Sequence, residues 1–180
     1  NNPTTINSSL TLLKNALKMN SLEHVQIDVA AEHMIDSGFD KLLDDQNMMP
    51  LSKSYLLIEM SYLQASINFD EAVNKIKEKG LFPILAHPER YLYLHNRPSE
   101  YERFKRNGVL LQLNLLSLGD YYGREVQKAA KSLLKNNLID FAASDVHKVS
   151  QIESLKKISL DEKSLQLIKP ILHKTSYNFK

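Results

Sequence analysis

Apolar residues along this chain fall into two kinds of stretch that alternate. Short, almost unbroken apolar runs cover residues 25–31, 55–60, 81–86, 109–115 and 138–143. Runs of that length, rich in Val, Ile and Leu, predict strands buried on both faces. Between them, apolar residues recur at helical spacing. Leu10, Leu13, Ala16, Leu17 and Met19 form one stripe, with Lys14 and Lys18 opposite, and predict a helix over 4–20 that Pro3 opens. A helix over 68–79 carries Asp70 and Glu71 in its first turn and Lys77 and Lys79 in its last, and Gly80 stops it. Gly108 stops another helix, over 98–107, and Val126, Ala129, Ala130, Leu133 and Leu134 mark the next, over 123–136. Residues 38–45 predict a short helix or turn, 152–160 and 162–172 the last two helices, and MMPLSKS a connection with a proline.

Strand and helix in alternation is the pattern of a parallel sheet with crossover helices, so the expected class is α/β. The 180 residues suffice for one domain with a real core, spanning 1–180. A closed eight-unit barrel takes about 250 residues. Five strands therefore imply an open sheet or part of a barrel.

Composition narrows the chemistry. A hydrophobic fraction of 43% and a charged fraction of 24% are ordinary for a globular protein. The net charge of +2 gives no electrostatic case for nucleic acid or an anionic membrane. Cysteine is absent, which excludes disulfides, thiolate metal sites and a cysteine nucleophile. No apolar run approaches the roughly 18 residues of a membrane span. The polar start NNPTTINSS shows no signal-peptide pattern, and the expected location is the cytoplasm.

Polar residues placed on the predicted strands gather at one rim. Glu32 follows the first strand, Glu59 ends the second, His87 follows the third, and Asp145 and His147 follow the fifth. Parallel α/β folds build their sites at the C-terminal ends of strands. Imidazole with carboxylates suits zinc, iron or manganese, and two ions about 3.5–4 Å apart can act on a phosphoryl group. Arg90 offers a planar fork for phosphate oxygens. Asp145 and His147 alternate, and both face the site if the chain there is extended. Taken singly, each has an ordinary structural explanation. His87–Pro88 fits a turn, Ser144 or Asp145 a helix cap, and a strand-end Glu a solvated loop. Glu59 resists that explanation because YLLIEM sets it in an apolar run. His24, His33, His95 and His173 are assigned no role: His33 points away from Glu32, and His24 begins a strand at the wrong rim. Tyr91, Tyr93, Tyr121 and Tyr122 are assigned to packing and loop anchoring.

The segments AAEHM, LLIEMSY, LAHPERYLYL, GVLLQLNLLSLGDYYG and ASDVH occur in that order. Together they closely resemble the capsular and exopolysaccharide-associated protein tyrosine phosphatases of the PHP (polymerase and histidinol phosphatase) superfamily, over about residues 5–160. The resemblance implies a distorted (β/α)7 barrel holding up to three divalent metals, with manganese expected and iron or zinc as alternatives. It implies hydrolysis of phosphotyrosine on the bacterial tyrosine kinases that control polysaccharide export, and leaves an oligomer open. By position, Glu32, Glu59, His87, Asp145 and His147 are the implied metal ligands, with Glu59 bridging. Arg90, with His87, is the implied catalytic residue, binding phosphate. The family's opening His-x-His pair, the Asp after it and its TPH segment have no counterpart here. Residue 1 is expected to fall just after that segment, so that about two strands and four ligands belong to a preceding part of the native protein, and catalysis by this stretch alone is expected to be weak. An Arg that tends to follow SDxH is also missing, with Lys148 the nearby cation. A histidinol-phosphate-type phosphatase and a catalytically inactive binding domain are the alternatives.

Overall fold

The structure, a computed structural model, describes residues 2–45 and 47–179. Asn1, where the family's TPH segment is expected to have just ended, lies outside the described residues.

Five strands form one parallel sheet: β1 (Glu32–Met34), β2 (Tyr55–Glu59), β3 (Phe82–Ala86), β4 (Leu110–Asn114) and β5 (Phe141–Ala143). Spatial order follows chain order, and every neighbouring pair is parallel. That is the order of a barrel wall, without the reversal of a doubly wound sheet. The seven helices among the described residues are α1 (Pro3–Met19), α2 (Phe39–Asp44), α3 (Phe69–Glu78), α4 (Pro98–Arg106), α5 (Arg124–Lys135), α6 (Val149–Lys156) and α7 (Glu162–Asn178).

The sheet's faces are unequal. In β2 and β4, Leu56, Ile58, Leu111 and Leu113 are fully buried, while Tyr55, Leu57, Leu110 and Gln112 are only half-buried. Each fully buried aliphatic side chain contributes about 1.5–3 kcal/mol. Phe69, Ala72, Val73 and Ile76 of α3, Tyr101 and Phe104 of α4, and Leu133 and Leu134 of α5 complete this core. On the less buried face of β2 lies Glu59. Continuous apolar letters thus conceal an alternation in β2 and along most of β4, whereas β3 is buried on both sides apart from exposed Phe82.

Three expectations are corrected. Residues 25–31 form no strand, because they have no strand to pair with; the Ala31 N–H donates to the Met49 carbonyl at 3.0 Å, and pairing begins only at Glu32. Glu32 therefore opens β1, and His24 lies in a turn with no strand after it. β5 begins at Phe141, three residues late, because the Asp140 carboxylate accepts the Leu111 N–H at 2.9 Å where a ladder bond was expected. α1 is present and capped by Asn2, with its Thr5 box, but none of its residues is buried; Leu12, Leu13 and Met19 are exposed. Smaller differences follow from local bonds. Gln151 Oε1 accepts the N–H groups of His147 (2.7 Å) and Lys148 (3.1 Å), so α6 starts at Val149. Pro170 does not stop α7, which runs to Asn178 and packs on β5.

Candidate metal and phosphate site

Register places the site. Ile58 pairs with Leu85, and Ala86 with Gln112, so Glu59 and His87 emerge at nearly the same level of the sheet. Glu32 pairs with Leu57, two residues below Glu59 on the same face, and its length makes up the difference. After β3 the chain turns sharply. His87 adopts left-handed backbone angles (φ 36°, ψ 53°), its N–H donates to the Gln112 carbonyl at 2.8 Å, and Pro88–Arg90 form a 3₁₀ turn. The strained turn is held by these bonds and projects both His87 and Arg90 over the rim.

Three sequence-predicted ligands converge. His87 Nε2 lies 3.1 Å from Glu32 Oε1 and 3.5 Å from Glu59 Oε2. One donor atom from each of the three residues lies within 4.8 Å of the others. His87 is 3% exposed, and the two carboxylates are 27% and 21% exposed at their side chains. Burial opposes a charge on His87, but hydrogen bonds to Glu32 and Glu59 outweigh it and push its pKa up to about 9. His87 Nδ1 is buried without a partner. Two carboxylates crowded on one imidazole, in a half-buried pocket, form a donor set that fits a divalent transition metal such as manganese, iron or zinc.

Asp145 adjoins this cluster from the far side. Its backbone is left-handed (φ 49°), which breaks the extended geometry expected of Asp145–His147. Its Oδ2 accepts from Arg90 Nη1 at 3.2 Å and from Asn114 Nδ2 at 2.8 Å. Burial raises the Asp145 carboxyl pKa, with Glu32 adding to the rise, against the lowering fields of His87, His147 and Arg90. His147 lines the same cleft, but its side chain is 71% exposed and its Nδ1 faces the Asp145 carbonyl at 2.9 Å. The structure therefore brings Glu32, Glu59 and His87 together, sets Asp145 beside them, and leaves the His147 ring turned to solvent.

Arg90 is clamped. Its guanidinium carbon sits 4.7 Å from the Tyr62 ring centre and 4.3 Å from that of Tyr122. Tyr62 stacks on His87 at 5.5 Å, and its hydroxyl lies 3.3 Å from His87 Nε2. Together with Lys148 and Gln151 these residues line a cleft of about 420 Å³. Beneath it, Glu89 is wholly buried, which pushes its pKa up to about 7, opposed by the Ser117 hydroxyl at 2.6 Å. Sequence reasoning missed Tyr62, Glu89, Asn114 and Gln151. Asn114, a polar residue ending an apolar strand, was a readable signal; the others act through folds of the chain that no local pattern displays. Of the unassigned histidines, His33 is buried facing away, with Nδ1 3.1 Å from the Leu57 carbonyl, and His95 Nε2 lies 2.7 Å from the Glu89 carbonyl.

Residues 1–158 match the family model described as capsular polysaccharide synthesis, CpsB/CapC. The chain belongs to this family. Among CpsB/CapC relatives, the tyrosine-protein phosphatase YwqE of Bacillus subtilis is 30% identical over 95 residues, covering 53% of this chain and 37% of that protein. The tyrosine-protein phosphatase CpsB of Streptococcus agalactiae is 28% identical over 132 residues, covering 69% of this chain and 54% of its own length. The chain thus spans about half the length, or less, of these curated relatives. A structure from work on YwqE of B. subtilis and CpsB of Streptococcus pneumoniae, described as unique metal-dependent tyrosine phosphatases, superposes with a TM-score of 0.77 at 22% identity, over 97% of this chain and 75% of that one. At that identity the CpsB/CapC likeness establishes a shared fold. No helix among the described residues is long and apolar enough to cross a membrane.

Proposed function

We propose that this chain contributes to the active site of a metal-dependent phosphatase that hydrolyses phosphotyrosine in proteins. The single observation that carries this is the convergence of Glu32, Glu59 and His87 beside a clamped arginine, in a chain of the CpsB/CapC family. The five-stranded sheet is then part of a distorted (β/α)7 barrel. Glu32, Glu59 and His87 would hold a divalent metal, with Asp145 and His147 contributing to a cluster of up to three ions and manganese as the expected metal. Such ions supply Lewis acidity toward phosphoryl oxygens.

The chain's own residues do the rest. Arg90 has five N–H donors, of which Asp145 takes one; the others form no side-chain hydrogen bond among the described residues and can bind phosphate oxygens in the cleft. Tyr62 and Tyr122 keep the guanidinium plane fixed, which lowers the entropy lost on binding. The protein substrate is a bacterial tyrosine kinase governing capsule or exopolysaccharide synthesis, and the site of action is the cytoplasm. Hydrolysis of a phosphotyrosine peptide with added Mn²⁺, measured on the protein at its full natural length, tests this. Wild type is expected to turn over the peptide and His87→Ala to lose it. Equal rates in the two proteins, or a preference for histidinol phosphate, overturn the assignment.

A further inference from the structure

We propose that Asn114 is a positioning residue that joins the His87–Arg90 turn to Asp145 through one buried amide. Asn114 ends β4 and is 2% exposed. Its Oδ1 accepts the Leu116 N–H at 2.9 Å, which fixes which way the amide points. Its Nδ2 is thereby aimed at the cleft, where it donates to Asp145 Oδ2 at 2.8 Å and to the Tyr122 hydroxyl at 3.3 Å. The same Asp145 oxygen accepts from Arg90 at 3.2 Å, and the Tyr122 ring lies against the Arg90 guanidinium. From below, the Asn114 backbone N–H donates at 3.2 Å to Glu89 Oε1, which sits in the turn between His87 and Arg90 and also accepts the Ser117 hydroxyl.

One residue therefore touches most of what orients Arg90: its carboxylate partner, one of its two aromatic walls, and the buried glutamate of its own turn, Tyr62 alone standing apart. Capping of the 3₁₀ turn Leu115–Leu118 accounts for Oδ1, but not for an amide nitrogen held on a cleft carboxylate. Aspartate at 114 would replace that donor with a second negative charge at hydrogen-bond distance from Asp145, so the geometry calls for an amide. The inference rests on the phosphatase assignment for its reaction, and on geometry alone for its positioning.

Asn114→Thr is the test. Its volume is nearly unchanged and its hydroxyl still caps Leu116, but it cannot reach Asp145 with a donor. Should it not fold, Asn114→Ser carries the same comparison. kcat/KM on a phosphotyrosine peptide is expected to fall about 10–100-fold, as for other residues that orient a reacting group. In an Arg90→Ala background the same change is expected to cost less than about 2-fold, because coupled residues do not add. No loss in the wild-type background, or an equal loss in both, overturns the proposal. Calorimetric binding of inorganic phosphate separates the two assignments. If wild type hydrolyses no phosphomonoester, the phosphatase assignment fails; phosphate binding weakened by Asn114→Thr then still supports positioning, and unchanged binding overturns it.

Discussion

Arg90 owes its place to Tyr62, Tyr122 and Asp145, from three different segments, and a lysine there would lose most of these contacts. A lysine ammonium cannot stack between Tyr62 and Tyr122, and it cannot fork toward two phosphate oxygens. Arg90→Lys is expected to lower kcat/KM on a phosphotyrosine peptide by about 100-fold, the scale seen when one fixed donor to a developing charge is removed. Steady-state kinetics on the manganese-loaded protein check this. Tyr91 is a different case. It is fully buried, and its hydroxyl accepts the Met60 N–H at 3.0 Å just beyond β2. Tyr91→Phe leaves that N–H unpaired in the core, so urea unfolding is expected to show a loss of about 1–3 kcal/mol. The residues that bear these effects were unequally legible. AHPER announced His87 and Arg90, but the tyrosines that clamp Arg90 come from loops about thirty residues to either side, and no spacing rule links them.

At the scale of elements, the face of β4 that holds Leu111 and Leu113 is the centre of the core. Leu111→Ala is expected to destabilise the fold by about 2–5 kcal/mol, since a cavity there cannot collapse between β3 and β5; chemical denaturation measures it. The start of α7 gives a pH signature. Asp161 accepts the Ser164 N–H at 2.8 Å, and this bond holds its carboxyl pKa below the ordinary value. A depressed folded-state pKa stabilises above the unfolded value, and the benefit is lost as pH falls through the folded one. Asp161→Ala should therefore lower the melting temperature at neutral pH, with the difference closing in acid. An unchanged gap at low pH would count against the cap. Helices over 68–79, 98–107 and 123–136 were legible because their caps and stripes are local. The strand expected over 25–31 was not formed, because a strand exists only where a neighbour lies alongside it.

For the whole molecule, metal binding and folding are linked. A metal that binds only the folded state stabilises it by about 2.7 kcal/mol at a hundredfold excess over Kd. Manganese is expected to raise the melting temperature, chelation to reverse the rise, and Glu59→Gln to abolish it. A rise that survives Glu59→Gln would place the metal elsewhere. The alternation of apolar runs and helical stripes by itself determined the parallel α/β class, because buried parallel strands need apolar residues and crossovers; the strand order β1 to β5 came only from the tertiary structure. The same alternation also pointed to the gathering of Glu59, His87 and Asp145, since strand ends share a rim; Glu32 joins them from the start of β1 through the pairing register, which the sequence does not show. Only the tertiary structure decided which way each side chain turns there. A left-handed Asp145 swings His147 outward, a strained His87 carries Arg90 inward, and a buried Asn114 ties the two together; such torsions are set by partners distant in sequence, which the linear pattern does not encode.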